Sequence, residues 1–287
     1  MKTIAVIGGG LMGAGIAQVF AAAGHSVAVH EPASAVRDTI PDRLLEGLAL
    51  LDLDPAIAAR VRVSDDFEGT VGDADYVTEA APERLALKRE IFERLIEVAP
   101  RDAILASNTS VIPISRIAEG LPTADRIIGS HWWNPAPLIP LVEVVPTPST
   151  APEVVDETVR LLSAIGKEPA RILRDTPGFV GNRLQHALWR EAIAMVAEGV
   201  CDAETLDAVV RTSFGRRLAV LGPLENADLV GLDLTLDIHR TIIPELDRHA
   251  TPHAALEAHV KAGELGFKTG EGFRRWLPDE IARVRRR

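Results

Sequence analysis

Apolar positions follow two rhythms along this chain. Through about residue 173, short unbroken runs of the buried-strand kind alternate with stripes spaced three and four residues apart. The runs are TIAVI at 3–7, SVAVHE at 26–31, the pair at 62–63, DYVTE at 75–79, AILAS at 103–107, RIIGS at 126–130, LVEVV at 141–145 and PARIL at 169–173. Between them lie helical stripes: Ile16, Val19, Phe20 and Ala23; residues 85–98 with Ile91, Phe92, Leu95 and Ile96 inward; a short helix at 114–118; and residues 154–165. Strand–helix repetition of this kind predicts an α/β, doubly wound parallel sheet that binds ligands outside the carboxyl ends of its strands. Glu31, Ser110 and His131 fall at such ends.

After a polar, punctuated hinge at 174–178 (RDTPG) the strand rhythm stops. Val180, Leu184, Leu188, Ala192 and Met195 form one helical stripe; Asp202 is placed to cap the next helix, and residues 218–236 and 252–260 are expected to be helical too. An all-α second domain is therefore predicted, with domains at 1–176 and 177–287. The length of 287 residues requires the same division, since single cores stop growing near that size.

A net charge of −10 excludes a nucleic-acid or anionic-membrane partner, both of which attract basic fields. The basic tail at 283–287 is expected to be a solvated end. Cys201 is the only cysteine, so neither an intrachain disulfide nor a cysteine-based metal site can form. The histidines at 25, 30, 186, 239, 249, 253 and 259 show no ligand spacing with acids, and Pro252 interrupts the 249/253 pair, so no metal is expected. The first strand begins almost at Met1 and no apolar run approaches the ~18 residues of a membrane span. A cytoplasmic location is expected, where the NTS triplet at 108–110 has no role as a glycosylation acceptor.

Chemistry enters first at residues 8–13, GGGLMG. Gly8, Gly10 and Gly13, with Leu11 and Met12 between them, match G-x-G-x-x-G between a strand and a helix, and a second strand ends in Glu31, eighteen residues on. This is the signature of a Rossmann-type dinucleotide site. Gly8 permits the tight turn, Gly10 lets the pyrophosphate approach the backbone, and Gly13 lets the helix pack on the strand. Glu31 would accept from the adenosine ribose hydroxyls and repel a 2′-phosphate, which favours NAD over NADP.

The second candidate site is residues 130–145, SHWWNPAPLIPLVEVV. His131 sits where one apolar run gives out and Glu143 inside the next; if the runs are neighbouring strands, imidazole and carboxylate meet across the ladder as a base and its orienter. The alternative is a strand-end histidine and a solvated strand glutamate. Asn182, at the start of the first helix after the hinge, is either a site residue or a helix-capping amide.

These blocks together resemble the NAD-dependent L-3-hydroxyacyl-CoA dehydrogenase family over essentially the full length: GGGLMGAGIAQ (8–18), LASNTS (105–110), HWWNP (131–135), PLVEVV (140–145), DTPGFVGNR (175–183), GPLENADLVGLD (222–233) and GFKTGEGF (266–273). The resemblance implies His131 as catalytic base paired with Glu143, and Ser110 and Asn182 at the reacting oxygen. It places Glu83, Lys88, Ser110, Asn134 and Lys268 along the nicotinamide half of the NAD site, and implies a homodimer formed through the helical domain.

One departure bears on the substrate. Residues 32–75, where relatives acting on CoA thioesters carry a lysine-rich excursion, contain no lysine and hold four arginines against ten acids, a poor field for a phosphate-rich handle. Residues 81–92, residues 139–143 and Arg217 within GRRLAVLGP resemble instead the free hydroxy-acid branch, which includes L-gulonate 3-dehydrogenase and lambda-crystallin. Arg217 is then either a carboxylate clamp or a surface arginine, and Trp132 and Trp133 either narrow the pocket or pack the sheet edge. The expectation is an NAD-dependent dehydrogenase of a small L-3-hydroxy acid. The alternatives are a short-chain L-3-hydroxyacyl-CoA dehydrogenase and a non-catalytic, crystallin-like NADH-binding protein.

Overall fold

The computed structural model describes residues 1–285, so Arg286 and Arg287 of the basic tail lie outside the described residues. The chain divides into two compact units, Met1–Arg183 and Leu184–Arg287.

The first unit is built on one eight-stranded sheet. Its strands are β1 (Thr3–Ile7), β2 (Ser26–His30), β3 (Val61–Ser64), β4 (Tyr76–Glu79), β5 (Ile104–Ser107), β6 (Ile127–Trp132), β7 (Leu141–Pro146) and β8 (Glu168–Arg171). They lie in the order β3-β2-β1-β4-β5-β6-β7-β8. The first six run parallel, as their spacing predicts, but β7 pairs with β6 antiparallel, and β8 pairs with β7 in parallel. The reason is the length of the connections. A parallel neighbour needs a crossover of a dozen or more residues, and residues 133–140 are too few, so the chain turns back on itself. This antiparallel seam brings His131 and Glu143 into register as direct cross-strand partners.

Helices α1 (Leu11–Ala22), α2 (Ser34–Arg37), α3 (Ile40–Leu50), α4 (Phe67–Val71), α5 (Leu85–Val98), α6 (Ile114–Ala118) and α7 (Pro152–Ala164) cover the two faces. Side chains alternate across a strand, so each face has its own core. Ile4, Val6, Phe20, Tyr76, Ile128 and Trp132 belong to one; Ala5, Ile7, Val77, Phe92, Leu105, Ile127 and Phe179 belong to the other.

Helix α8 (Gly181–Ala197) comes after the hinge, and the second unit continues with α9 (Ala203–Thr212), α10 (Phe214–Arg217), α11 (Pro223–Val230), α12 (Leu232–Ile242), α13 (Ala254–Ala262) and α14 (Pro278–Arg285). Asp202 caps α9 as its position predicts, accepting from the Thr205 N–H at 2.7 Å. The stretch expected to be helical over 218–236 is divided between two helices. Pro223 starts α11 afresh, and Gly231, at φ +103°, breaks the run again because only glycine adopts that backbone readily. The helix expected from residue 252 begins instead at Ala254, with the His253 ring accepting from the Ala255 N–H.

Candidate active site

The glycine turn joins β1 to α1. Gly8 sits at φ +102°, and a Cβ there would come 2.8 Å from the Ala80 carbonyl oxygen. At Gly13 a Cβ would lie 1.8 Å from the Gly8 carbonyl oxygen and 3.3 Å from Val6, so helix and strand touch backbone to backbone. Gly10 differs: a Cβ would meet nothing within 4 Å. It is the N-cap of α1, with no side chain capping the helix, so the first-turn N–H groups of Leu11, Met12 and Gly13 lack intrahelical partners and the positive end of the dipole is open. A pyrophosphate fits that edge, where a methyl group would stand in its way.

Glu31 closes the turn from β2. One carboxylate oxygen accepts from the Gly9 N–H at 2.8 Å and the other from Ala33 at 2.9 Å, leaving each a further lone pair for a ribose hydroxyl. Arg43, on α3, is a participant the sequence did not single out. Its Nη2 donates to the carbonyls of Gly9 (2.9 Å) and Gly10 (2.7 Å), which places a guanidinium beside the turn. No sequence pattern marks it, because α3 is brought against the turn by tertiary packing of Ile40 on Gly9.

At the other end of the same sheet edge, His131 Nδ1 lies 2.8 Å from Glu143 Oε2, and the two residues are 3% and 1% exposed. The second oxygen of Glu143 accepts from the N–H groups of Val180 and Gly181, each at 3.0 Å. Burial is the largest influence on this carboxyl and opposes its ionisation. The bonds from His131, Gly181 and Val180 together outweigh it and hold the group below the usual carboxylate range. An ionised Glu143 only accepts, so the shared proton sits on Nδ1; in the neutral imidazole Nε2 is then the acceptor nitrogen. The turn that delivers the two N–H groups contains Phe179, buried at φ +48°, a conformation that costs a bulky residue on the order of 1–3 kcal/mol and persists only where its surroundings hold it. Its ring stands 5.6 Å from that of His131, and the Trp133 ring stands at 5.3 Å.

Ser110 and Asn182 are brought together. The Asn182 side-chain amide donates to the Ser110 carbonyl at 2.9 Å, so it reaches across to the loop after β5 and does not cap its own helix. Gly181 and Asn182, consecutive residues, thus bind Glu143 and the Ser110 loop at once. The loop is held from beneath by Glu83, whose Oε1 accepts from Thr109 Oγ1 (2.5 Å), Ser110 N (3.0 Å) and Val111 N (3.1 Å). Burial resists the charge of Glu83, but Thr109, Lys88 and those N–H groups depress its pKa. Lys88 is 1% exposed; its Nζ bonds Glu79 Oε1 at 2.7 Å and the Ala81 carbonyl at 3.2 Å, with Glu83 at 3.3 Å. It is therefore a buried strut under Glu83, with its ammonium engaged by protein groups. Glu79, Ser107 and Asn108 complete this layer: Ser107 donates to Glu79 at 2.6 Å, and Asn108 Oδ1 accepts from the Trp132 N–H at 2.8 Å. Their polar character inside strand ends was the available signal, since buried polar groups need partners.

The two adjacent tryptophans part. Trp132 does not line the site: at 2% exposure it packs on Phe20 in the opposite core, because adjacent strand residues point to opposite faces. Trp133 is the one beside His131, and Asn134 comes next, exposed, in the β6–β7 connection. Arg217 and Lys268 belong to the second unit, where both are exposed. Among the described residues no group of three or more His, Cys, Asp or Glu gathers to hold a metal, and no helix is long and apolar enough to cross a membrane.

A parallel-dominated sheet with a glycine turn opening onto a helix N-terminus defines a dinucleotide-binding α/β protein. The family models match it in two consecutive pieces: 3-hydroxyacyl-CoA dehydrogenase, NAD binding domain, over residues 3–176, and 3-hydroxyacyl-CoA dehydrogenase, C-terminal domain, over residues 178–276. The chain belongs to the 3-hydroxyacyl-CoA dehydrogenase family, NAD-dependent oxidoreductases acting on CH–OH groups. It is 33% identical over 286 residues to 5-formyl-3-hydroxy-2-methylpyridine 4-carboxylate 5-dehydrogenase of Mesorhizobium japonicum, covering 98% of this chain and 92% of that one. It is 36% identical over 289 residues to the mitochondrial hydroxyacyl-coenzyme A dehydrogenase of Homo sapiens, covering 95% and 90%. A solved structure of a 5-formyl-3-hydroxy-2-methylpyridine 4-carboxylic acid 5-dehydrogenase, described as an NAD+ dependent dismutase, superposes with a TM-score of 0.93 at 32% identity, over 99% of this chain and 94% of the other.

Proposed function

We propose that this chain oxidises the hydroxyl of a small L-3-hydroxy acid bearing a free carboxylate to the keto group, with NAD as acceptor. The observation that carries the reading is the His131–Glu143 pair, in which Glu143 engages Nδ1 and not Nε2, on the sheet edge that also holds the nucleotide turn. His131 Nε2 takes the hydroxyl proton, and Glu143 favours the imidazolium that results. Ser110 and Asn182 orient the substrate oxygen, and in reverse the imidazolium protonates the developing alkoxide. NAD would supply the acceptor for the hydride of the carbinol carbon. Gly8, Gly10, Leu11, Met12, Gly13 and Glu31 hold the adenosine and pyrophosphate half; Glu83, Asn134 and Lys268 serve the nicotinamide half, with Lys88 acting through Glu83. Residues 1–176 serve the cofactor in this reading, and 177–287 the substrate and the subunit contact, to which Arg217 contributes as a carboxylate clamp.

Against a CoA handle stands the fate of the four arginines of residues 32–75. Arg37 donates to the Glu31 carbonyl, Arg43 to Gly9 and Gly10, Arg60 to Ala21 and Arg62 to Gly69. Each is tied to this chain's own backbone, among ten acids. The pyridine-carboxylate relative is named for a substrate with a free carboxylate; the human relative's name supports the second reading, a hydroxyacyl-CoA substrate. The test tracks NADH during turnover on free 3-hydroxy acids, on pyridine carboxylates and on matched CoA thioesters. At least about tenfold higher kcat/KM on a free acid is expected, a difference of about 1.4 kcal/mol. A preference for the thioester would move the assignment to the second reading, and NADH binding without turnover on any of them would point to a non-catalytic protein.

The second unit also supports a homodimer. Between residues 184 and 284 only Ala194 is buried, while Leu218, Val220, Leu224, Leu229 and Leu232 are all more than half exposed. So much unburied apolar surface marks a protein interface, and a second copy of the chain is the occupant proposed. Light scattering is expected to give twice the chain mass; a monomer at micromolar concentration would refute it.

A further inference from the structure

Lys167 lies in the turn between α7 and β8 and is 8% exposed. Its Nζ donates to the carbonyls of Ala136 at 2.6 Å and Ile139 at 2.9 Å, and lies 5.5 Å from the centre of the Trp132 ring. Among the described residues no carboxylate stands within ion-pair distance of it. Burial alone draws its pKa below the usual lysine value. A buried ammonium with no counter-charge is costly, and an apolar side chain would avoid that cost. What an apolar side chain cannot do is donate to two carbonyls that have turned inward.

Both carbonyls belong to residues 133–140, the connection that leaves His131 and returns to Glu143. The next residue, Glu168, donates its N–H to the Pro140 carbonyl at 2.9 Å. On its other side the connection rests on α1: a Cβ at Gly15 would come 3.3 Å from both Ala136 Cβ and Pro137 Cδ. Trp133 and Asn134 therefore sit on a short bridge held between the nucleotide-binding helix and Lys167.

We infer that Lys167 is a positioning residue: by holding Ala136 and Ile139 it fixes where Asn134 and Trp133 stand relative to the nicotinamide and keeps the β6–β7 pair at the spacing the dyad needs. This rests on the proposed roles of His131, Glu143 and Asn134. It assigns Lys167 no contact with substrate or cofactor.

The test compares Lys167→Met and Lys167→Arg with the unaltered protein. Turnover is measured alongside the affinities for NADH and for ADP-ribose, which carries the adenosine and pyrophosphate half without the nicotinamide. Lys167→Met is expected to lower kcat and NADH affinity about tenfold each, the scale on which small misplacements act. ADP-ribose affinity should stay within about twofold, and Lys167→Arg, which keeps donors for the two carbonyls, should recover part of the loss. Unchanged kcat and NADH affinity in Lys167→Met would overturn the inference. So would equal losses of NADH and ADP-ribose affinity, since that pattern means general loosening. Where the methionine variant does not fold, Lys167→Gln, which retains an amide donor, carries the same comparison. His131→Ala in the same assays separates the two readings. Full turnover in His131→Ala overturns the dyad and this inference with it; loss there, beside normal Lys167→Met, overturns this inference alone.

Discussion

Replacing His131 with alanine is expected to lower kcat by about 10² to 10⁴, the usual contribution of general acid–base assistance, while NADH affinity stays within about twofold of normal. The two halves of that expectation come from different parts of the structure. His131 is buried on the Phe179 side of the sheet at the carboxyl end of β6, whereas the pyrophosphate turn is built from β1 and α1, so the cradle loses nothing when the imidazole goes. Glu143 keeps its bonds from Val180 and Gly181 and stays in place. Glu143→Gln should cost less than His131→Ala, because the imidazole remains but loses the ionised partner that holds its proton on Nδ1 and stabilises its charged form. Steady-state kinetics with a fluorescence titration of NADH measure both quantities. Turnover in His131→Ala within about threefold of normal would remove the base assignment.

The second large effect separates two glycines that look alike in the sequence. Gly13→Ala places a methyl 1.8 Å from the Gly8 carbonyl oxygen, with Val6 behind it. Helix α1 or the turn has to move, so a loss of about 1–3 kcal/mol in stability is expected together with weakened NADH binding. Gly10→Ala places its methyl where nothing lies within 4 Å, so the melting temperature should be unchanged. NADH affinity should still fall at least about tenfold, or about 1.4 kcal/mol, because that open edge is where we propose the pyrophosphate to meet the N–H groups of Leu11, Met12 and Gly13. Normal NADH affinity in Gly10→Ala would mean that the cofactor's phosphates lie elsewhere. Thermal unfolding and NADH fluorescence on the two variants give the four numbers needed.

Much of the site is legible in residue order because its parts sit at strand ends. An apolar run has a period and a length, and the residue just past its end lands at a known edge of a parallel sheet. The glycine turn, Glu31, Ser110 and His131 are all legible in this way. Glu143 requires only that two adjacent runs be neighbours, and the shortness of residues 133–140 makes them so. Trp132 and Trp133 cannot be separated by their types, since both are large aromatics. The pleat sends one into the core beside Phe20 and leaves the other beside His131. Resemblance places Lys88 at the cofactor, and its ammonium is taken up by Glu79, Glu83 and the Ala81 carbonyl, a set drawn from strand and loop that no local pattern encodes. The helical stretch expected over 218–236 is divided in two for the opposite reason. Its apolar stripe is real, but Gly231 carries backbone information that periodicity does not contain.

The amino-acid sequence by itself determined the two-part architecture and the glycine turn with its acid at the second strand end, and it offered His131 and Glu143 as a candidate pair. These depend on short-range features: a period of two or of three to four, a glycine where a Cβ would collide, an acid at a strand end. Only the tertiary structure decided what holds those groups still. Glu143 is fixed by N–H groups 37 and 38 residues away, Asn182 by a carbonyl 72 residues away, and the β6–β7 bridge by Lys167 from the turn beyond α7. Hydrogen bonds of that range join residues that the chain keeps far apart in order, and burial, which no single residue specifies, makes each of them count.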